Sequence, residues 1–361
     1  MNKKFAILIL TLLMSMTVVL AGCTSKQDPK DAMKSATGNA MKMTSYEMKS
    51  KVVIKDLKVT SQDTDTAAAT GQVMSMLNNA ELTIDGVYQS EPMQTELTMG
   101  INLKGDMSMS FNIPMVMTKE KLYVKIPSIP LLQMIPEDAV NKYLVLDLKE
   151  LAEQEGTKFN PDSMDTKKTQ QLSNEIMNTL YGEYDGNKYF KDIKVKDANL
   201  PDGVDAKQVV QFYVTNENVK EAAEIFVNKV APKLLDIVSK DEYRDMLGLT
   251  KEEIDKAKSE LNSNNGDKLS KNLNDLKNYL TINQFTVNTA IDKKDFPSYQ
   301  DAIANVEMND PETKDNVKLS MEVTNQYSKI NDKQTFKIGI PKESDIITME
   351  QLEKEMGAAS Y

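Results

Sequence analysis

The clearest pattern in the chain is the alternation of apolar and polar residues over residues 93–126. Apolar side chains recur at every second position in three successive runs, and Lys104-Gly105-Asp106 separates the first two runs. A period of two with one apolar face is typical of half-buried antiparallel strands joined by tight turns. We call the apolar set the methionine stripe; it comprises Leu97, Met99, Ile101, Leu103, Met107, Met109, Phe111, Ile113, Met115, Met117, Leu122 and Val124.

The stripe is unusual in its methionine content. Six of the 25 residues from Met93 to Met117 are methionine, against 23 of 361 in the whole chain. In one interpretation, these flexible side chains fill irregular gaps in an ordinary core. In the other, the face is curved and partly open, and the thioethers repack around varied apolar ligands. Phe111 is the stripe's one aromatic residue and the chain has no Trp, which suits a malleable hollow for acyl chains.

The same patterns predict the other elements. Strands are expected at 46–59, 81–90, 142–148, 187–195 and 207–214, and a second meander at 280–291, 298–308, 317–330 and 334–340. Helices are expected at 32–43, 147–155, 162–181, 216–239, 240–247, 250–261, 267–279 and 348–356, with a short helix or loop at 71–79.

Local signals refine these predictions. Pro232 predicts a kink or break within 216–239, and Thr250-Lys251-Glu252-Glu253 reads as a capping box. Strands followed by helices and again by strands, without a repeating βαβ unit, predict an α+β fold with a mostly antiparallel sheet.

Composition excludes several functions. The net charge is −10 and no basic stripe is present, which argues against a nucleic-acid partner and against an electrostatic hold on anionic lipids. The chain has no His and one Cys, so a conventional catalytic triad, an intrachain disulfide and a thiolate metal site are excluded. No phosphate-binding or dinucleotide-binding glycine motif occurs. A hydrolase that uses a pair of carboxylates stays open as an alternative, but nothing in the sequence points to one. We therefore predict no catalytic residues, no metal, no cofactor and no enzymatic activity.

The N-terminus has the pattern of a secretory leader. Lys3 and Lys4 precede an apolar run over residues 5–20, which is short for a membrane-spanning helix. The run ends in Leu20-Ala21-Gly22-Cys23, which resembles the lipobox of bacterial lipoproteins. The resemblance implies cleavage before Cys23 and acylation of its sulfur, leaving the protein anchored on the extracytoplasmic face of a membrane, as in Gram-positive cells. The alternatives are an uncleaved anchor and a leader with an incidental cysteine.

The order of elements also resembles the LolA/LppX type of lipoprotein. The segments Met48-Lys49-Ser50-Lys51-Val52-Val53-Ile54 and Tyr327-Ser328-Lys329-Ile330-Asn331 resemble a group of uncharacterised Gram-positive lipoproteins thought to share that fold. The resemblance implies a strongly curved, incomplete antiparallel barrel closed by helices, whose apolar hollow carries lipids or lipoproteins. It implies no site residue.

These observations divide the chain into four parts. Residues 1–22 form the signal peptide and 23–31 a lipidated, flexible tether. Residues 32–345 form the half-barrel domain, with an extra helical block at 216–279, and 346–361 form a C-terminal helix and tail.

Two functional hypotheses follow. In the first, the protein is anchored to the membrane through Cys23 and holds an apolar ligand, a lipid or an acyl chain, against the methionine stripe. In the second, it is an envelope scaffold, chaperone or sensor that acts through a protein partner, of unknown identity, without a small ligand.

The lipobox makes a direct prediction. Cys23→Ser should abolish incorporation of a clickable palmitate analogue in growing cells, because the acceptor sulfur is gone, and the signal peptide should be retained. Thr24→Ser, one position along, serves as the control and should be labelled normally. A labelled Cys23→Ser protein, or an unlabelled wild type, would contradict the assignment.

Overall fold

Twelve strands form one sheet in the computed structural model, which describes residues 26–60, 77–104, 108–128, 135–154, 166–263, 280–309, 314 and 316–358. The strands are β1 (Ser45–Thr60), β2 (Glu81–Ser90), β3 (Met93–Leu103), β4 (Met109–Thr118), β5 (Lys121–Lys125), β6 (Tyr143–Asp147), β7 (Phe190–Ile193), β8 (Gln208–Val214), β9 (Leu280–Ile291), β10 (Pro297–Asn309), β11 (Asn316–Ser328) and β12 (Ile346–Thr348). Their order is β12-β6-β5-β4-β3-β2-β1-β11-β10-β9-β8-β7.

Every neighbouring pair is antiparallel except β12 and β6, which run parallel. The helices are α1 (Pro29–Ala40), α2 (Leu148–Gln154), α3 (Thr166–Glu183), α4 (Gly186–Tyr189), α5 (Val219–Ile225), α6 (Ala231–Val238), α7 (Asp241–Leu247), α8 (Lys251–Ser263) and α9 (Met349–Ala358). The predicted α+β class with a mostly antiparallel sheet is confirmed.

Strand β1 joins the two meanders. One long edge of β1 pairs with β2 and the other pairs with β11, from Glu47 opposite Ser328 to Thr60 opposite Asn316. The register shifts between Ile54 and Asp56. This bulge matters because the apolar alternation of β1 changes phase there, and the extra residue returns Leu57 to the face that carries Ile54.

One face of the sheet is apolar across most of its width. Directly paired residues share a face, so the register can be followed from strand to strand. A single row runs across eight strands from β8 to β4 and contains Phe212, Val287, Ala302, Val323, Val52, Leu82, Ile101 and Phe111. The methionine stripe and the helix-covered residues therefore lie on the same face.

Helices cover that face at the β7–β10 end. Buried residues from several helices and from strands β7 to β9 form the largest described core cluster, which includes Met33, Tyr189, Val210, Val230 and Ile291. At the other end of the sheet, Leu352 of α9 packs against a smaller buried cluster that contains Ile347. Between these two covers, the face is half-buried.

Local signals explain how α1 is placed. Asp28 caps its first turn by accepting from the Lys30 backbone nitrogen at 3.0 Å, and Pro29 occupies the first helical position. The Lys30 ammonium donates to the carbonyl oxygens of Gly182 and Tyr184 at 2.9 and 2.7 Å. This cation satisfies carbonyl groups at the C-terminal end of α3, where the helix dipole is negative, and so ties α1 to α3.

The finer helix predictions are confirmed. The expected helix at 216–239 is interrupted by a π-helical turn at Phe226–Val230, directly before the turn that contains Pro232. The capping box is present: Thr250 Oγ1 accepts from the Glu253 nitrogen at 3.2 Å, and the Glu253 carboxylate accepts from the Thr250 nitrogen at 2.8 Å.

The strand predicted at 334–340 is wrong. Residues 329–345, which we call the C-terminal strap, cross the face opposite the methionine stripe and lead to β12. The backbone nitrogens of Lys337, Ile338 and Gly339 donate to the carboxylate of Glu96 at 2.7, 2.9 and 2.6 Å. These donors serve one buried side chain instead of a neighbouring strand, and Gly339 has a φ of +70°, which is unsuited to a strand.

The strand predicted at 187–195 is shorter than expected. Asp185 caps a helical turn, α4, by accepting from the Asn187 and Lys188 nitrogens, and β7 follows it. The predicted helix at 267–279, the lipobox and most of 71–79 lie outside the described residues. None of the described helices combines the length and the apolarity that membrane crossing requires.

The contacts of the strap predict that substitution of Glu96 strongly lowers the stability of the fold. Glu96→Ala should lower the free energy of unfolding by about 3 kcal/mol, because three partly buried backbone nitrogens lose a charged acceptor. Urea unfolding measures this change. Glu47→Ala removes a partly exposed ion pair with Lys329 on the same face and should cost about 1 kcal/mol or less. Equal losses in the two variants would show that the strap does not depend on Glu96.

Candidate functional site

A cavity of about 560 Å³ lies at the end of the sheet where β1, β3 and β10 begin and β2, β4 and β11 end. It is bounded on one side by the sheet and on the other by α1 and α3. The residues that line it are Thr37, Ala40, Met41, Met43, Tyr46, Tyr88, Met93, Met117, Thr169, Gln170, Ser173, Met177, Pro297, Gln300 and Tyr327.

Three tyrosines form its floor. Tyr46 of β1 pairs directly with Tyr88 of β2, and their ring centroids lie 5.1 Å apart. Tyr327 of β11 meets Tyr46 edge to face with a centroid distance of 5.4 Å. Burial, followed by the neighbouring phenols of Tyr327 and Tyr88, raises the pKa of Tyr46 to about 12. Burial also raises the pKa of Tyr327. Both rings therefore present neutral hydroxyl groups at physiological pH.

Methionines supply much of the remaining lining. Met93 and Met117 come from the sheet, Met41 and Met43 from the segment after α1, and Met177 from α3. Met43 is buried, whereas the other four are half-buried. Unbranched thioethers adapt to irregular shapes at low energetic cost, so this lining can accommodate apolar groups of different outline.

The predicted stripe residues reach this cavity in part. Met117 lines it, and Leu97 borders a separate cleft of about 230 Å³ beside the strap. The other described stripe residues are half-buried on the same face of the sheet, and none of them belongs to the buried core. Met107 and Cys23 lie outside the described residues.

Sequence reasoning missed the tyrosine floor and the helical wall, which α1 and α3 form. The sequence predicts Tyr46 and Tyr88 at strand ends, in phase with the apolar residues of their strands. It does not tell which strands pair with each other. Tyr327 is brought beside Tyr46 only by the pairing of β11 with β1.

The described lining residues include no charged side chain. Across the described part of the chain, His, Cys, Asp and Glu nowhere form a group of three or more placed to hold a metal ion. The chemistry that these described residues offer is therefore apolar contact and neutral hydrogen bonding.

Comparisons with known proteins add little. Residues 237–344 match DUF6612, a family of unknown function; this stretch extends from the end of α6 to the strap. No curated protein matches the chain. A solved structure titled "Crystal structure of bifunctional dehydratase-cyclase domain in ambruticin biosynthesis" is 7% identical over 91% of this chain and 83% of that chain. Its TM-score is 0.10, so it carries no argument.

The raised pKa of Tyr46 predicts a change in folding stability at alkaline pH. A folded pKa of about 12 against 10.0 for a free phenol means that the neutral form is favoured by folding. This contribution is present below pH 10 and is lost as the pH rises from 10 to 12. Tyr46→Phe removes the titration, so the variant should gain up to about 3 kcal/mol relative to wild type over that interval.

Urea unfolding at pH 9, 10, 11 and 12 measures the difference between the two proteins. Tyrosines remote from Tyr46 are common to both proteins and cancel in the comparison, whereas Tyr88 and Tyr327, which are coupled to it, contribute to the measured difference. A constant difference across the series would show that the Tyr46 phenol is not shielded from water in the folded protein.

Proposed function

We propose that this protein is a membrane-anchored, extracytoplasmic lipoprotein that binds an apolar ligand, a lipid or an acyl chain, in its methionine-rich cavity. The observation that carries the proposal is the cavity of about 560 Å³, whose described lining holds five methionines and no charged residue. That volume falls within the range of about 300–1,000 Å³ that small-molecule sites occupy.

The partial burial of the methionine stripe supports the proposal. An ordinary core would bury the stripe fully, whereas the described stripe residues remain half-buried and continue from the cavity across the apolar face. Each methylene group that a ligand buries in the cavity contributes about 0.8 kcal/mol. A chain-like ligand would therefore gain binding energy in proportion to the length that the cavity encloses.

The arrangement of the strands supports a LolA/LppX-like half-barrel. Ends of β4 and β10 border the same cavity, although five strand spacings separate them in the sheet. On a flat sheet those ends would lie about 24 Å apart. A sheet that curves around α1 and α3 brings them to one cavity, as the incomplete barrel of that fold would.

Organic extraction tests the proposal most directly. All described contacts lie within residues 26–358, so the chain from Thr24 onward retains them and lacks any covalent lipid. We expect mass spectrometry of its solvent extract to show lipid in near-stoichiometric amount. A stable protein with an empty extract, and no uptake from lipid vesicles of the host's own lipids, would overturn the proposal.

A cavity-filling variant locates the ligand. Met117→Trp should reduce bound lipid at least tenfold, because the larger side chain occupies the cavity between β4 and α3. The matched control is Met308→Trp, on the same face near the opposite end of β10 and 50% exposed. It should bind lipid as wild type does.

Met177→Trp repeats the test from the helical wall, and circular dichroism verifies that each variant is folded. Wild-type binding in both cavity variants would place the ligand elsewhere.

A further inference from the structure

The cavity lining carries information about the head group of a ligand. Its described polar groups are phenols, amides and hydroxyls, including Tyr46, Tyr88, Tyr327, Gln170 and Gln300. The Gln300 amide nitrogen donates to Thr289 Oγ1 at 3.1 Å, which holds this amide at the cavity wall. The lining therefore offers several neutral hydrogen-bonding groups within one site.

The same lining lacks the groups that ionised ligands need. Carboxylates and phosphates in proteins are commonly paired with Arg or Lys, and an unpaired charge in an apolar site is strongly disfavoured. The described lining contains neither Arg nor Lys to pair with an anion, and neither Asp nor Glu to pair with a cation. The influences that raise the pKa of Tyr46 are burial and the two neighbouring phenols.

The volume limits the size of the ligand. At roughly 30 Å³ for each non-hydrogen atom, the volume of one water in the liquid, a cavity of about 560 Å³ holds about 20 such atoms. That corresponds to one acyl chain with a small head, whereas a two-chain phospholipid has more than twice as many atoms.

We propose that the cavity selects a single-chain amphiphile with an uncharged, hydroxyl-bearing head, of which a monoacylglycerol is the simplest example. This inference rests on the proposed function and narrows it. The acyl chain packs against the methionines, and the hydroxyl groups exchange hydrogen bonds with the tyrosines and glutamines. An amphiphile of the same chain length with an ionised head binds more weakly, because the described lining residues offer it no counter-charge.

Equilibrium dialysis of the chain from Thr24 tests the inference with three ligands that share a 14-carbon chain, match the cavity in size and are used below their critical micelle concentrations. The ligands are 1-monomyristoylglycerol, myristate and tetradecyl phosphate, at pH 8.5. We expect monomyristoylglycerol to bind at least tenfold more tightly than either anion.

A charge introduced into the lining should reverse the preference. Met93→Lys places an ammonium group at the cavity, so affinity for myristate should rise at least tenfold while affinity for monomyristoylglycerol falls. Met308→Lys introduces the same charge on the same face but outside the cavity, and should leave both affinities unchanged. A folded Met93→Lys protein with wild-type selectivity would overturn the inference.

The outcomes separate this inference from the function on which it rests. Equal or tighter binding of an anion by the wild type overturns the uncharged-head inference and leaves lipid binding intact. Failure of all three ligands, with a two-chain lipid in the organic extract, does the same. Failure of all three with an empty extract overturns both.

Discussion

The pairing of β1 with β11 is the constraint on which the rest of the structure depends. It unites segments that lie more than 250 residues apart, from Glu47 opposite Ser328 to Thr60 opposite Asn316, and turns two meanders into one sheet. Because side chains alternate with a period of two, a slip of one residue would turn the apolar positions of one meander to the opposite face. The bulge at Lys55 keeps both halves of β1 in phase with β11.

The cavity follows from how unequally this apolar face is covered. Helices α1, α3 and α5 protect the β7–β10 end, and α9 protects the β6–β12 end, while the central strands keep half-buried side chains. At the margin of the larger helical cover, the sheet and the helices separate enough to leave a space. Methionine and tyrosine line that margin, and the described lining residues carry no charge, which gives an apolar surface with neutral hydrogen-bonding groups.

Much of the secondary structure could be predicted, because period-two alternation and local capping signals act within a few residues. Glu81–Ser90 and Leu280–Ile291 were predicted to the residue, and the interruption before Pro232 was expected. The strap could not be foreseen. Its backbone donors are satisfied by Glu96, some 240 residues earlier in the chain, and a short apolar stretch reads as a strand when that partner is unknown. The tyrosine floor escaped prediction for the same reason, since it depends on strand order.

The two edges of the sheet are short in comparison with its centre. β7 has four residues and β12 has three, whereas β1, at the middle, has 16. An open sheet exposes unpaired backbone groups at its margins, and long margins invite pairing between molecules. A sheet whose edge strands are short exposes few such groups. It can therefore stay open, with one face accessible to a ligand, and still avoid edge-to-edge aggregation with other molecules.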